Sequence, residues 1–98
     1  MRPKKTYYVY ITASKKNGTL YIGVTSRIKK RITEHKEGLV DGFTKKYKVD
    51  KLVWYGTFSE PRDAIVKEKQ LKKWNRKWKL ELIEKENPSW RDLYDDLL

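Results

Sequence analysis

The sequence predicts a small α/β (α+β) domain in which a three-stranded antiparallel sheet is flanked by helices. Residues 6–12 and 19–24 are rich in the β-branched and aromatic residues that suit a pleated, partly buried surface. Between them lies Asn17-Gly18, a strong signal for a hairpin turn. A third strand is predicted at residues 51–58, and the segments after the hairpin and after this strand have helical patterns.

The first helix is predicted to follow the hairpin directly. Thr25 and Ser26 are candidate N-caps, the helix runs to Glu37, and Gly38 is its expected C-terminal stop. At about 100° per residue, one side of this helix carries both apolar and polar residues. They are Ile28, Arg31, Ile32, His35 and Leu39.

A second helix is predicted from about Glu60 to Trp74, with Ser59 as its cap and Pro61 in its first turn. Ala64, Glu68 and Leu71 share one face of it, so Glu68 is a carboxylate on an apolar stripe. A third helical segment is predicted for residues 78–85. Asn87-Pro88 ends it, and a final short turn of helix follows.

Residues 38–50 are predicted to form a loop. Within it, residues 43–48 alternate aromatic and basic side chains, which leaves two interpretations open. Lys45, Lys46 and Lys48 could contact phosphates beside stacking aromatics. Alternatively the segment is a connector whose Phe43 and Tyr47 pack against the core.

Length and charge limit the classes of function. The 98 residues form one domain, with a core at about residues 6–94 and Trp74, Trp78 and Trp90 expected inside it. The net charge of +11, from 24 basic against 13 acidic residues, predicts a polyanionic partner. Nucleic acid, an anionic membrane surface and the ribosome all fit this charge. The membrane is disfavoured because neither terminus reads as an amphipathic, Trp/Phe/Leu-faced helix.

Cysteine and targeting signals are absent from the printed sequence. Without cysteine there is neither a disulfide nor a thiolate metal site. No apolar run approaches the roughly 18–20 residues of a membrane span. Residues 1–5 form a basic arm that no signal-peptide core follows, so a cytoplasmic location is expected.

The chain combines four features in an unusual order. These are Tyr8-Val9-Tyr10, a hairpin turn, Tyr21-Ile22-Gly23 and a helix that carries arginine. The chain resembles the GIY-YIG nuclease family over nearly its whole length. The second half-motif matches letter for letter, whereas Tyr8 replaces a glycine and Val9 an isoleucine of the first. The likeness is to small stand-alone members related to the N-terminal nuclease module of the excision repair endonuclease.

The side chains themselves suit phosphodiester hydrolysis. A carboxylate with open water positions holds Mg²⁺, and a guanidinium matches a phosphate with its planar fork. Glu68 and Arg31 could supply these groups, and the hydroxyls of Tyr10 and Tyr21 could hold the attacking water. Taken singly, each of these residues is more often structural or solvated than catalytic.

The resemblance implies a role for each matching position. It implies catalytic roles for Tyr10, Tyr21, Arg31, His35 and Glu68, with Glu68 as the ligand of Mg²⁺ or Mn²⁺. It implies phosphate contacts by Arg27, the motif glycine at Gly23 and a site-shaping asparagine at Asn87. We expect the five catalytic side chains to converge on one concave face.

Three functional hypotheses follow. The leading one is a metal-dependent endonuclease that cuts DNA, including branched or single-stranded DNA, in repair or recombination. The second is a non-catalytic nucleic-acid-binding domain with the same fold and basic face. The third is a protein-interaction module of a repair complex. Metal-dependent cleavage that depends on Glu68 separates the first hypothesis from the other two.

Overall fold

A computed structural model describes residues 5–40 and 42–97, without the side chain of Phe43. Most of the basic arm predicted for residues 1–5 lies outside the described residues. Three strands, four α-helices and one short 3₁₀ turn are present in the described part. In chain order they are β1 (Tyr7–Ala13), β2 (Leu20–Thr25), α1 (Ile28–Lys36), α2 (Gly42–Tyr47), β3 (Lys51–Phe58), α3 (Pro61–Lys73), α4 (Arg76–Glu86) and a 3₁₀ turn (Leu93–Asp96).

The sheet confirms the predicted three antiparallel strands. Its order is β2-β1-β3, so β1 is central and β2 is an outer strand. The pairing of β1 with β3 shifts after Ile11, which leaves Val53 as an extra residue opposite β1. This bulge increases the local twist and bends β3.

The two faces of the sheet carry different residues because side chains alternate along each strand. On the α3 face, Val9, Ile11 and Ile22 pack with Ala64, Leu71 and Ile83. On the α1 face, Tyr10 and Leu52 pack with Ile28, Ile32 and Leu97. The tyrosines of the hairpin therefore lie with α1, and α3 covers the opposite face.

Local backbone contacts explain where α1 begins and ends. The Oγ1 atom of Thr25 accepts a hydrogen bond of 3.0 Å from the backbone N–H of Arg27, so it closes the turn before the helix rather than capping it. Gly38 has φ of +71°, and Leu39 N–H donates to the Glu34 carbonyl at 2.8 Å. The predicted stop at Gly38 is confirmed. Leu39, predicted on the apolar side, follows this stop and is exposed.

Three local expectations were wrong. Residues 38–50 contain α2 rather than a continuous loop. The α3 helix begins at Pro61 after Glu60, and the Ser59 cap is not formed. Trp78 is 51% exposed rather than in the core. The preceding helix does not continue through Asn75, which starts α4 by accepting a hydrogen bond of 2.9 Å from the backbone N–H of Trp78.

The C-terminal segment covers the α1 face beside β3. Asp92 accepts hydrogen bonds from the backbone of Leu52 at 3.2 Å and from Lys36 at 2.6 Å. The hydroxyl groups of Tyr94 and Thr33 are 2.6 Å apart. Arg91 donates two hydrogen bonds to Asp96, which hold the pKa of that carboxyl below its usual range.

No described helix is long and apolar enough to cross a lipid bilayer.

Asn87 ties the end of α4 to β3. Its buried amide donates to the carbonyls of Val53 at 3.1 Å and Arg91 at 2.8 Å, and it accepts from Arg91 N–H at 3.0 Å. These bonds satisfy the carbonyl of the bulged residue. Asn87 thus acts on β3 and the C-terminal segment.

Replacing Asn87 by alanine is expected to cost about 2–3 kcal/mol, because it leaves buried backbone groups without partners. For a domain of this size that is a fall of roughly 10–20 °C in Tm. Thermal melts followed by circular dichroism measure it. The exposed Ser89→Ala change is the control and should leave Tm unchanged. Equal melting of both variants would contradict a structural role for the amide.

Candidate active site

Tyr10, Tyr21 and His35 form one cluster on the α1 face. The Tyr10 hydroxyl lies 3.0 Å from His35 Nε2, and both residues are at most 3% exposed. Ring centroids are 6.3 Å apart for the two tyrosines and 5.2 Å apart for Tyr21 and His35. Strands β1 and β2 supply the tyrosines, and α1 supplies the histidine. A hydrogen bond joins Tyr10 and His35, and the ring of Tyr21 packs beside both of them.

The register of the hairpin explains how the two tyrosines meet. Tyr10 pairs with Gly23, and Tyr21 pairs with Thr12, so the tyrosines are diagonal neighbours on one face. The Tyr10 ring lies over Gly23, where an added Cβ would be 2.6 Å from Cζ of that ring. The motif glycine is required because it leaves the space that Tyr10 occupies.

Gly23→Ala is therefore expected to displace Tyr10 from His35 and to destabilise the fold by about 1–3 kcal/mol through overpacking. His35 is the single histidine of the chain, so its imidazole NMR signals report the change directly. Gly42→Ala is the matched control, since an added Cβ there meets nothing within 4 Å. Unchanged imidazole signals in Gly23→Ala would refute this account of the glycine.

Tyr8 stands where the family motif has glycine, and the structure explains why a large residue fits. Its ring packs edge-to-face against Tyr55 of β3, with centroids 6.1 Å apart. Both side chains belong to the cluster around Tyr10 on the α1 face. In this chain the substitution adds an aromatic contact to the sheet beside the site.

Arg31 lies one helical turn before His35 on α1. Its side chain is 41% exposed, and Nη1 is 3.9 Å from a carboxylate oxygen of Glu34. Its Nε atom is buried and makes no hydrogen bond within the described part of the chain. The guanidinium is thus loosely held and accessible, as a phosphate-binding group must be.

A polar cavity surrounds Arg31, and we call it the arginine cavity. Its lining residues are Thr25, Ser26, Arg27, Lys30, Arg31 and Glu34. Arg27, predicted to contact phosphates, belongs to it. Lys30 and Glu34 were not among the predicted site residues, although the i, i+3 spacing of Arg31 and Glu34 could have indicated their pairing.

A second cavity opens at the other end of α1, beside His35. Its lining includes Lys36, Lys45 and Lys48 together with Thr44 and the acidic residues Glu37 and Asp50. Lys46 points elsewhere, with its Nζ 5.4 Å from the centroid of the Tyr47 ring. Of the three lysines predicted to bind nucleic acid, two therefore lie beside the tyrosine cluster.

Glu68 departs from the expected convergence. It lies on α3 between Ala64 and Leu71, which pack on the face of the sheet opposite to Tyr10. Its carboxylate pairs with Lys72 Nζ at 3.4 Å and its side chain is 16% exposed. The expectation that all five side chains share one face must be corrected for this residue.

The position of α3 shows where Glu68 could meet the tyrosine cluster. Helix α3 packs mainly on β1 and β2, so the outer edge of the sheet at β2 lies beside this helix. Tyr21 packs on the α1 face of the sheet, so Glu68 can share a site with it only around that edge.

Asn87 was predicted to shape the site. Its hydrogen bonds go to Val53 and Arg91, on the far side of the sheet from β2. Any influence on the tyrosine cluster must therefore pass through β3.

Comparison with known proteins identifies the family of the chain. A family profile described as the GIY-YIG catalytic domain matches residues 6–81. The chain belongs to the GIY-YIG family, whose catalytic domain is that of nucleic-acid-cleaving enzymes.

Within the family the chain is similar to UPF0213 proteins. That of Staphylococcus haemolyticus is 36% identical over 78 residues, covering 80% of this chain and 94% of the relative. That of Syntrophus aciditrophicus is 39% identical over 82 residues, covering 83% and 92%. The solution NMR structure of a UPF0213 protein from Bacillus halodurans aligns with a TM-score of 0.56 and 26% identity, covering 89% of this chain and 92% of that one.

Proposed function

We propose that this chain is a metal-dependent endonuclease that hydrolyses DNA phosphodiester bonds beside Tyr10, Tyr21 and His35. The observation that carries the proposal is the buried hydrogen bond between Tyr10 and His35 next to Tyr21. A tyrosine and a histidine held at 3.0 Å can pass a proton between them. Membership of the GIY-YIG family makes phosphodiester hydrolysis the reaction that this pair would serve.

The proposed role of each side chain follows from its burial. Tyr21 is only half-buried and would orient the attacking water towards phosphorus. The buried Tyr10–His35 pair would accept the proton that the water loses. Arg31 would lie against the non-bridging oxygens and stabilise the charge that develops as the bond to the leaving oxygen breaks.

Glu68 is the residue that would hold Mg²⁺ or Mn²⁺. No group of three His, Cys, Asp or Glu side chains in the described ranges is close enough together to form a metal site. A single carboxylate fits Mg²⁺ when waters and substrate phosphate complete the shell, so the ion would bind together with DNA. The ion, when bound, supplies charge stabilisation to the phosphate and the leaving oxygen.

Basic cavities at both ends of α1 support a nucleic-acid substrate. Arg27, Lys30 and Arg31 line one, and Lys45 and Lys48 line the other. The nine-residue helix between them is about 13 Å long. A DNA backbone lying along it would bring a phosphate past the tyrosine cluster. We propose that the domain recognises the structure of DNA rather than its sequence and acts in cytoplasmic repair or recombination.

One observation favours a second function, a non-catalytic nucleic-acid-binding module. Glu68 lies on the opposite face and is paired with Lys72, as a merely structural carboxylate would be. The net charge of +11 would still bind DNA, with an affinity that falls steeply as salt rises. Salt-dependent binding is therefore expected from both functions, and cleavage distinguishes them.

The test is a cleavage assay with the purified chain on duplex, branched and single-stranded DNA. We expect strand cleavage with Mg²⁺ or Mn²⁺, none with a chelator, and a large loss in Tyr21→Phe, which keeps the ring and removes the hydroxyl. Tyr47→Phe, an exposed tyrosine on α2, is the control and should cut normally. Binding without cleavage of any of these substrates would favour the binding module.

A further inference from the structure

We propose that Trp78 forms a stacking platform for unpaired bases of the DNA on the α3–α4 side of the molecule. This inference rests on the proposed function only in taking DNA as the partner. Half of the Trp78 surface is open to solvent, whereas Trp54 and Trp90 are buried. At this exposure, much of the apolar surface of the indole is not buried within the protein. Any nucleic-acid base can stack on such a ring, because every base has a π-face.

The platform is held in place before any ligand arrives. The side chain of Asn75 accepts a hydrogen bond of 2.9 Å from the backbone N–H of Trp78 and so fixes the start of α4. Arg76, two residues earlier, donates to the carbonyls of Asn17 and Gly18 at 2.7 Å each and so fixes the first turn of α4 on the hairpin. Trp74 packs edge-to-face against the indole at 5.9 Å. The backbone that carries the indole is thus fixed, and the Trp74 contact restrains the ring itself, so little conformational entropy is lost on binding.

The charge around the ring suits a polyanion. Residues 67–79 contain seven lysine or arginine residues and one acidic residue, Glu68. Five of these cations are exposed, namely Lys69, Lys72, Lys73, Arg76 and Lys77. An aromatic ring among exposed cations is the composition of single-strand binding surfaces, in which the cations follow the backbone and the ring takes a base. An anionic lipid surface would require more apolar area than this one ring offers.

The platform is also close to Glu68. Lys72 pairs with Glu68 at 3.4 Å, and Lys79, next to Trp78, donates to the Lys72 carbonyl at 3.5 Å. Along α3, Glu68 and Trp74 are separated by about 9 Å. A strand that passes Glu68 could therefore reach Trp78 within a few nucleotides. The platform would favour substrates with an unpaired segment next to the bond that is cut.

Tryptophan fluorescence tests this inference without any cleavage. The full chain is titrated in EDTA with an oligodeoxythymidylate of about 12 nucleotides, a length within the usual range of single-strand sites. We expect strong quenching that disappears in Trp78→Ala, together with an affinity loss of about 10-fold. Trp78→Phe should recover most of the affinity, and neither variant should change binding of a blunt duplex. Melting curves check that the variants fold.

Val66→Ala is the matched control, because it trims another exposed apolar side chain, on α3 rather than α4. Its single-strand affinity should equal that of the parent. The platform is overturned if Trp78→Ala binds the oligonucleotide as tightly as the parent, or if Val66→Ala loses as much. It is also overturned if vesicles of anionic lipid quench the fluorescence more strongly than DNA does. A chain that never cuts DNA but loses single-strand binding in Trp78→Ala would refute the nuclease and leave the platform standing.

Discussion

Glu68→Gln is expected to abolish cleavage while DNA binding stays equal or becomes slightly tighter. Glutamine keeps the volume of the side chain but loses the charge that would hold Mg²⁺, and it removes a negative group near the phosphate. A metal ion contributes several kcal/mol to stabilising the transition state, so the rate should fall by about 10³-fold or more. Single-turnover cleavage at saturating enzyme measures the loss apart from binding.

Two controls separate a metal ligand from a structural ion pair. Glu84→Gln, an exposed change on α4, removes the same charge elsewhere and should cut normally. Lys72→Ala removes the partner of Glu68 but keeps the carboxylate, so it should retain most of the cleavage rate. If Glu68→Gln cuts as fast as wild type, the endonuclease proposal fails and the binding module replaces it. If Lys72→Ala is as inactive as Glu68→Gln, the carboxylate acts through the ion pair.

Arg31→Ala is expected to slow cleavage of bound DNA by roughly 10²–10³-fold, as removal of a preorganised transition-state donor usually does. Arg31→Lys should recover little, because an ammonium cannot present the planar fork that matches a phosphate. The guanidinium is accessible and only loosely paired with Glu34, so the loss cannot be ascribed to a broken core contact. The same single-turnover assay applies.

Arg62→Ala provides the comparison for Arg31, since Arg62 is an exposed arginine in the first turn of α3. It should weaken binding slightly and leave the rate of bound substrate unchanged. Lys36 and Lys29 look like suitable controls in the sequence, but both bond to the C-terminal segment and would change its packing. An Arg31→Lys variant with the wild-type rate would show that charge alone suffices.

Local patterns in the chain were enough to predict the strands, the hairpin and the family. Alternating apolar and aromatic residues around Asn17-Gly18 specify two paired strands, because side-chain period and turn chemistry are local properties. The same local logic placed the helix stop at Gly38, where a left-handed backbone is needed. Local patterns also assigned Tyr10 and Tyr21 to the hairpin, and Arg31 and His35 to α1. Once the hairpin pairs, β1 and β2 bring the tyrosines together.

The face of the sheet that each helix covers could be read only from the folded chain. The stripe of Ala64, Glu68 and Leu71 predicts that α3 packs on the sheet, but the face depends on how the chain crosses after β3, which no local pattern specifies. For the same reason Glu68 was expected beside Tyr10 and lies instead on the helix that covers the other face. Trp78 was expected in the core because its type is usually buried. It is exposed on α4, a separate helix that begins after Asn75. Local sequence does not decide whether one helix continues past such a residue or a new one begins, because most of the stability of a helix comes from tertiary packing.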